Sequence, residues 1–190
     1  MDKETDVLYE KPLAKRRIYE GRIVNLRVDD VELSDGRRAT REVVEHDAAV
    51  GVLALTDRNS VLLVRQHRYA VGENTLEICA GLVDKGEDFE AAAMREMQEE
   101  LGVKPGKLRE IARFYTSPGF CTEELVLFLA TELSASSLPQ DEDENIETVE
   151  ISCSELPQKL AQGVFRDAKT FAALTWLVAE MKGAWGPAPV

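Results

Sequence analysis

Cysteine and histidine are scarce in this chain, basic residues are outnumbered, and no long apolar run occurs. The three cysteines, Cys79, Cys121 and Cys153, are too few and too scattered for a disulfide framework or a CxxC zinc site. A packing role is expected for Cys79 and Cys121, and a reducing cytoplasm is the default location. Two histidines, His46 and His67, cannot make a histidine-rich metal centre, and a structural role is expected for each. No Ser-His-Asp or Cys-His arrangement for nucleophilic catalysis stands out. No apolar stretch approaches the roughly 20 residues a membrane helix needs, which argues against an integral membrane protein. The opening MDKETDVLYEKPLAKRR has no apolar core of a secretory signal, so none is expected. With 23 Lys+Arg against 35 Asp+Glu the net charge is −12, which disfavours nucleic acid and anionic membranes as partners, since both are polyanions.

What is present is enough for one domain with a small appendage: 190 residues, 44% hydrophobic and 31% charged. The negative charge is concentrated. Residues 77–101 hold eight acids and two bases, and residues 141–150 hold six acids and no base. The remaining 21 acids and 21 bases cancel. Two readings stay open at this point: two solvated acidic faces, or one divalent-metal site assembled from both segments.

The pattern along the chain predicts strands within 16–33, with Ser34-Asp35-Gly36 as the turn of a hairpin between 22–33 and 37–46. AAVGVLALT (48–56) and SVLLVRQHR (60–68) form a second hairpin-like pair around Asp57-Arg58-Asn59, followed by a short strand at Leu76–Ile78. A helix is expected over 88–101, rich in helix formers and stopped by Gly102. Further strands are expected at 107–116, 124–131 and 146–151, a loop at 134–145, helices at 154–162 and 167–182, and a poorly ordered tail. Such an order implies a mixed α/β fold with helices on the sheet faces. The expected division is an N-terminal β extension over 1–46, a main domain over 47–182 and a tail over 183–190.

In the central helix, Met94, Met97 and Leu101 fall on one stripe, expected to face the core. Glu96, Glu99 and Glu100 adjoin it at spacings where like charges repel, each pair costing about 0.2–0.5 kcal/mol. They also sit at the negative end of the helix dipole, where cations are preferred. Either the helix ends in an exposed acidic turn, or a cation such as Mg²⁺ or Mn²⁺ joins Arg95 in offsetting the charge.

From Gly81 to Val103 the chain reads GLVDKGEDFEAAAMREMQEELGV, which resembles the Nudix box, GX5EX7REUXEEXGU with U apolar. It matches at Gly81, Glu87, Arg95, Glu96, Met97, Glu99, Glu100, Gly102 and Val103. REVVEHDAAVGVLAL (41–55), VLLVRQHRYAVGENTLEICAG (61–81), TSPGF (116–120) and DEDENIE (141–147) are similar to ADP-ribose pyrophosphatases within that family. Pro118 stands where that subfamily has its distinguishing proline. The chain departs from the subfamily at Cys79, where proline is frequent, and at Cys121-Thr122-Glu123, where aspartate follows the turn.

The resemblance implies a Nudix-type α/β/α sandwich with a mixed β-sheet and an N-terminal antiparallel hairpin region. It implies hydrolysis of ADP-ribose to AMP and ribose 5-phosphate with Mg²⁺, Mn²⁺ being the alternative ion; the competing expectation is a broader nucleoside diphosphate sugar hydrolase. Metal ligands carried over are Glu96, Glu100, the Ala80 carbonyl and Glu144. Glu142 is expected as general base, with Glu99 bridging or assisting and Arg95 orienting the glutamates. Gly81, Glu87 and Gly102 shape the motif, Gly81 by letting the backbone approach closely. Arg41, Arg68, Pro118 and Gly119 are expected at the substrate, and Arg37 and Arg38 are further candidates. A homodimer built through the N-terminal strands is also implied, with the adenine at its interface.

Overall fold

The computed structural model describes residues 6–140 and 145–183, and two compact units divide them. The first comprises the chain up to Ala48 together with Tyr115–Glu124; the second comprises Ala49–Phe114 and the chain from Leu125 onward.

The first unit is a three-stranded antiparallel sheet in the order β1 (Lys11–Glu20), β2 (Asn25–Glu32), β3 (Arg38–Glu45). The β2–β3 hairpin turns at Gly36, whose φ of +82° is open to glycine at little cost. Gly21 N–H donates to the Val24 carbonyl at 3.1 Å, so the stretch expected as strand from 16 breaks there. Every residue of β1 is exposed. The turn around Pro118 is laced to β3: Val44 N–H donates to Phe120 O at 2.7 Å and Thr122 N–H to Val44 O at 3.0 Å.

The second unit is built on a mixed sheet of β4 (Ala49–Leu55), β5 (Ser60–Arg68), β6 (Glu73–Glu77), β7 (Cys79–Leu82), β9 (Lys107–Tyr115), β10 (Glu124–Thr131) and β12 (Ile146–Ser152). β4 and β10 are parallel at the centre, and β5 pairs antiparallel with both β12 and β6. Because successive side chains of a strand point to opposite faces, each central strand feeds two cores. Val50, Val52, Val126 and Phe128 pack under α1 (Phe89–Glu100) with Ala92, Ala93 and Met97. Leu53, Leu125 and Leu127 pack on the other face with Leu156 of α2 (Leu156–Ala161) and with Leu174 and Leu177 of α3 (Ala168–Met181). Helices thus cover both faces, and the unit is an α/β/α sandwich. Among the described residues no helix is long and apolar enough to cross a membrane.

Three expectations are corrected. Met94 is 41% exposed, and the buried face of α1 instead runs through Ala92, Ala93, Glu96, Met97 and Glu100. Ala92, Ala93 and Met97 fill the contact with the sheet, and Met94 falls outside that face. The single strand expected at Leu76–Ile78 is two, because Ile78 N–H leaves the ladder to donate to Thr170 Oγ1 at 2.9 Å. Before it β6 pairs with β5; after it β7 pairs with β4. The loop expected over 134–145 contains a two-residue strand, β11 (Ser134–Ala135), paired with β8 (Val103–Lys104). The tail from 184 onward lies outside the described residues.

Candidate active site

α1 starts where Asp88 caps it, its carboxylate accepting from Ala91 N–H at 2.8 Å. It ends at Leu101, with Gly102 at φ +65° turning the chain away. Its last turn carries no base. Two of its carboxylates are nearly enclosed, Glu96 at 7% and Glu100 at 4% exposure.

β7 lies beneath them. Ala80 N–H donates to Glu100 Oε2 at 3.1 Å. At the next residue a Cβ on Gly81 would overlap the Glu96 carboxylate, so only glycine leaves room for it. Arg95 spends all five of its donors locally. Nη1 reaches Glu96 Oε1 at 2.6 Å and Glu99 Oε2 at 3.0 Å. Nε and Nη2 grip Glu87 at 3.1 and 3.0 Å, and Nη2 also reaches the Leu82 carbonyl at 2.9 Å. Glu87 in turn accepts from Asp84 N–H at 3.0 Å, which ties the loop to the helix. The hydrogen bonds from Arg95 hold the Glu87 carboxyl below the usual carboxylate range, and those carboxylates raise Arg95.

Three carboxylates, Glu87, Glu96 and Glu99, meet the Arg95 guanidinium, and a fourth, Glu100, accepts from the Ala80 amide. Among the described residues no three acidic, histidine or cysteine side chains already converge as a closed ligand set. The donors nevertheless fit a hard divalent cation: carboxylate oxygens only, two of them buried, beside a glycine cradle and without a lysine in the final turn. Glu142 and Glu144 lie outside the described residues.

The remaining candidates are distributed over both units. In the second, Arg68 at the end of β5 is clasped by Glu77, Nε to Oε1 at 2.8 Å and Nη2 to Oε2 at 2.7 Å. A groove of about 520 Å³ adjoins this pair. In the first unit, Arg41 is held by Glu10 at 2.8 and 2.5 Å, while Pro118 and Gly119 form the tip of a turn closed by Cys121 N–H on Ser117 O at 2.8 Å. Arg37 bonds to Asp35 at 2.7 Å. That unit also holds a polar hollow of about 290 Å³, lined in part by Arg22, Asn25, His46 and Thr122. His46 Nδ1 lies 2.9 Å from the Asp47 carbonyl and His67 Nδ1 lies 3.0 Å from Asn74 Oδ1. Cys79 and Cys153 are buried, and Cys121 is partly buried.

Glu77 and Lys169, which pairs with it alongside Arg68, are not among the residues that the sequence pattern singles out. The one signal for Glu77 in the sequence is a carboxylate flanked by Leu76 and Ile78. Nothing in the sequence links it to a lysine 92 positions away.

A layered sheet with a glycine-edged strand beneath a glutamate-bearing helix defines the class, an α/β/α sandwich whose acidic site is carried by one loop and one helix. The NUDIX domain model matches residues 45–174, and the Nucleoside diphosphate sugar hydrolase N-terminal domain model matches residues 10–44. The chain belongs to the Nudix family. It is 41% identical over 172 residues to the ADP-ribose pyrophosphatase of Bacillus subtilis (strain 168), covering 90% of this chain and 93% of that protein. It is 38% identical over 170 residues to the methanol dehydrogenase activator of Bacillus methanolicus, covering 88% and 92%. In fold it matches a crystal structure of an ADP compounds hydrolase with a TM-score of 0.85 at 23% identity, over 95% of this chain and 98% of that one.

Proposed function

We propose that this protein hydrolyses the diphosphate of ADP-ribose, using Mg²⁺, to give AMP and ribose 5-phosphate. The observation that carries the reading is the complete acid set on α1, with Glu96 and Glu99 held by Arg95 and Glu100 by the Ala80 amide, in a chain similar over nine-tenths of its length to an ADP-ribose pyrophosphatase.

Water oxygen attacks one phosphorus, the bridging P–O bond breaks, and each product keeps one phosphate. Glu96 and Glu100, with the Ala80 carbonyl and Glu144, would hold the cation, and Arg95 keeps the glutamates aligned. The cation, when bound, neutralises phosphate oxygens and lowers the pKa of water. Glu142 takes the proton from the attacking water, and Glu99 assists from the helix. Arg68 and Arg41 offer guanidinium donors to substrate anions, a geometry suited to phosphate. Pro118 and Gly119 shape the turn on which the substrate rests.

The same reading places the enzyme in the cytoplasm as a homodimer joined through residues 1–46. Support for the dimer comes from β1, an edge strand whose Leu13, Ile18 and Tyr19 all face solvent. A second reading, a broader nucleoside diphosphate sugar hydrolase, is favoured by the N-terminal match over residues 10–44. A substrate panel decides. With Mg²⁺ the purified protein should release AMP from ADP-ribose well ahead of product from UDP-glucose or GDP-mannose, and EDTA should stop it. Equal rates across the panel would move the assignment to the broader reading, and no turnover of any member would end both.

A further inference from the structure

Glu77 is the most buried carboxylate among the described residues, at 1% exposure. Its site is filled by donors. Arg68 lies edge to edge with it, using Nε and Nη2 at 2.8 and 2.7 Å. Thr75 Oγ1 donates to Oε1 at 2.5 Å, and Lys169 Nζ donates to Oε2. Lys169 is itself tethered 3.1 Å from Asp167, the residue that caps α3 by accepting from Thr170 N–H at 2.9 Å. Burial pushes the Glu77 carboxyl up, but Arg68, Lys169 and Thr75 outweigh it and bring its pKa down to about 2. It is therefore an anion at any physiological pH.

Two cations share this one anion, and they differ in access. The Arg68 side chain is 43% exposed, and its inner edge is occupied by Glu77. The clasp engages only the Nε–Nη2 side of the guanidinium, whose further donors include those on Nη1. Arg68, Lys169, Glu73 and Arg166 line the same groove of about 520 Å³.

We propose that Glu77 and Lys169 are positioning residues, which aim the outer edge of Arg68 at a phosphate of the substrate. This rests on the function proposed above. A bidentate clasp fixes the plane of the guanidinium, and Lys169 keeps Glu77 from rotating toward Arg68 alone. Without Lys169, Oε2 keeps only its bond from Arg68 Nη2, the carboxylate loses an anchor outside the clasp, and Arg68 loses its single orientation.

The test uses the full-length protein, with steady-state kinetics on ADP-ribose and calorimetric binding of its α,β-methylene analogue. Lys169→Met should raise KM and the analogue Kd about tenfold with little change in kcat, the size expected when a charged donor is misplaced rather than removed. Lys169→Arg should restore most of the loss. In an Arg68→Ala background, Lys169→Met should cost nothing further, because the residue it positions is gone. Glu77→Gln should resemble Lys169→Met if it folds; if it does not, the lysine series carries the test. Equal losses from Lys169→Met with and without Arg68, or a lowered melting temperature with unchanged KM and Kd, would overturn the positioning role and leave the hydrolase reading standing. Absence of both turnover and analogue binding in the unmodified protein would remove the hydrolase reading, and this proposal with it.

Discussion

Arg95 and Glu87, eight residues apart, meet edge to edge through two parallel hydrogen bonds of 3.1 and 3.0 Å. Glu87 sits in the loop before α1 and Arg95 two turns into it, so one fork of donors spans the loop–helix junction. The same guanidinium extends to Glu96 and Glu99 from its remaining nitrogen. Loop position and carboxylate orientation are therefore set by one side chain.

Arg95→Lys keeps the charge and loses the fork. A lysine can satisfy Glu87 or the helix glutamates but not both edges at once. Activity should fall about 10- to 100-fold, the usual cost of losing a group that orients metal ligands. The apparent Mg²⁺ affinity should weaken in parallel, read from initial rates over a magnesium titration. Unchanged affinity with reduced rate would separate Arg95 from the ligand geometry.

Gly81 touches the same cluster from below. A methyl group there overlaps the Glu96 carboxylate, which is already confined by Arg95. Gly81→Ala should destabilise the protein by about 1–3 kcal/mol, the range for overpacking an enclosed site. Urea unfolding followed by circular dichroism measures it. A stability equal to the parent would mean that Glu96 swings out freely and is not held where its burial suggests.

Much of this region is legible in the sequence, since a loop, a helix and its carboxylates lie within 23 consecutive residues. Local patterns also located β10 at Glu124–Thr131 and α1 to within a residue. What escaped depended on contacts distant in sequence. The break at Ile78 required Thr170 to take its amide, 92 residues away. Met94 departs from the expected stripe because periodicity ranks residues by hydropathy, whereas the small Ala92 and Ala93 occupy the buried contact. Two glutamates then occupy positions a hydrophobic pattern would assign to solvent. The Glu77–Lys169 pair and the bonds from the Pro118 turn to Val44 were hidden for the same reason.

Acid should unfold the protein in a window set partly by Glu77. Its carboxyl titrates near 2 in the folded chain against an ordinary 4.5. The unfolded chain therefore binds the proton first as pH falls. The stabilisation is complete above 4.5 and is lost progressively between 4.5 and 2, amounting to on the order of 3 kcal/mol. Urea midpoints measured from pH 6 down to 2.5 should fall steeply in the parent and less steeply in Glu77→Gln. Parallel slopes for the two proteins would show that Glu77 titrates normally when folded.

Glu100 offers the sharpest test of the acidic site, because its two plausible roles predict opposite results. As a structural residue it accepts from Ala80 N–H at 3.1 Å, and glutamine can accept that bond equally well. As a metal ligand it contributes a buried charge that glutamine cannot supply. Glu100→Gln should therefore leave the metal-free fold intact, with a melting temperature equal to the parent or slightly higher, since repulsion from Glu96 is relieved. Turnover should drop about a thousandfold, in line with the several kcal/mol a cation contributes to stabilising charge at the reacting phosphate. Magnesium should raise the parent's melting temperature by mass action and leave that of Glu100→Gln where it was. A variant that keeps both its turnover and its magnesium-dependent thermal shift would show that the cation is held elsewhere, and that the burial of Glu100 serves only to bind the Ala80 amide.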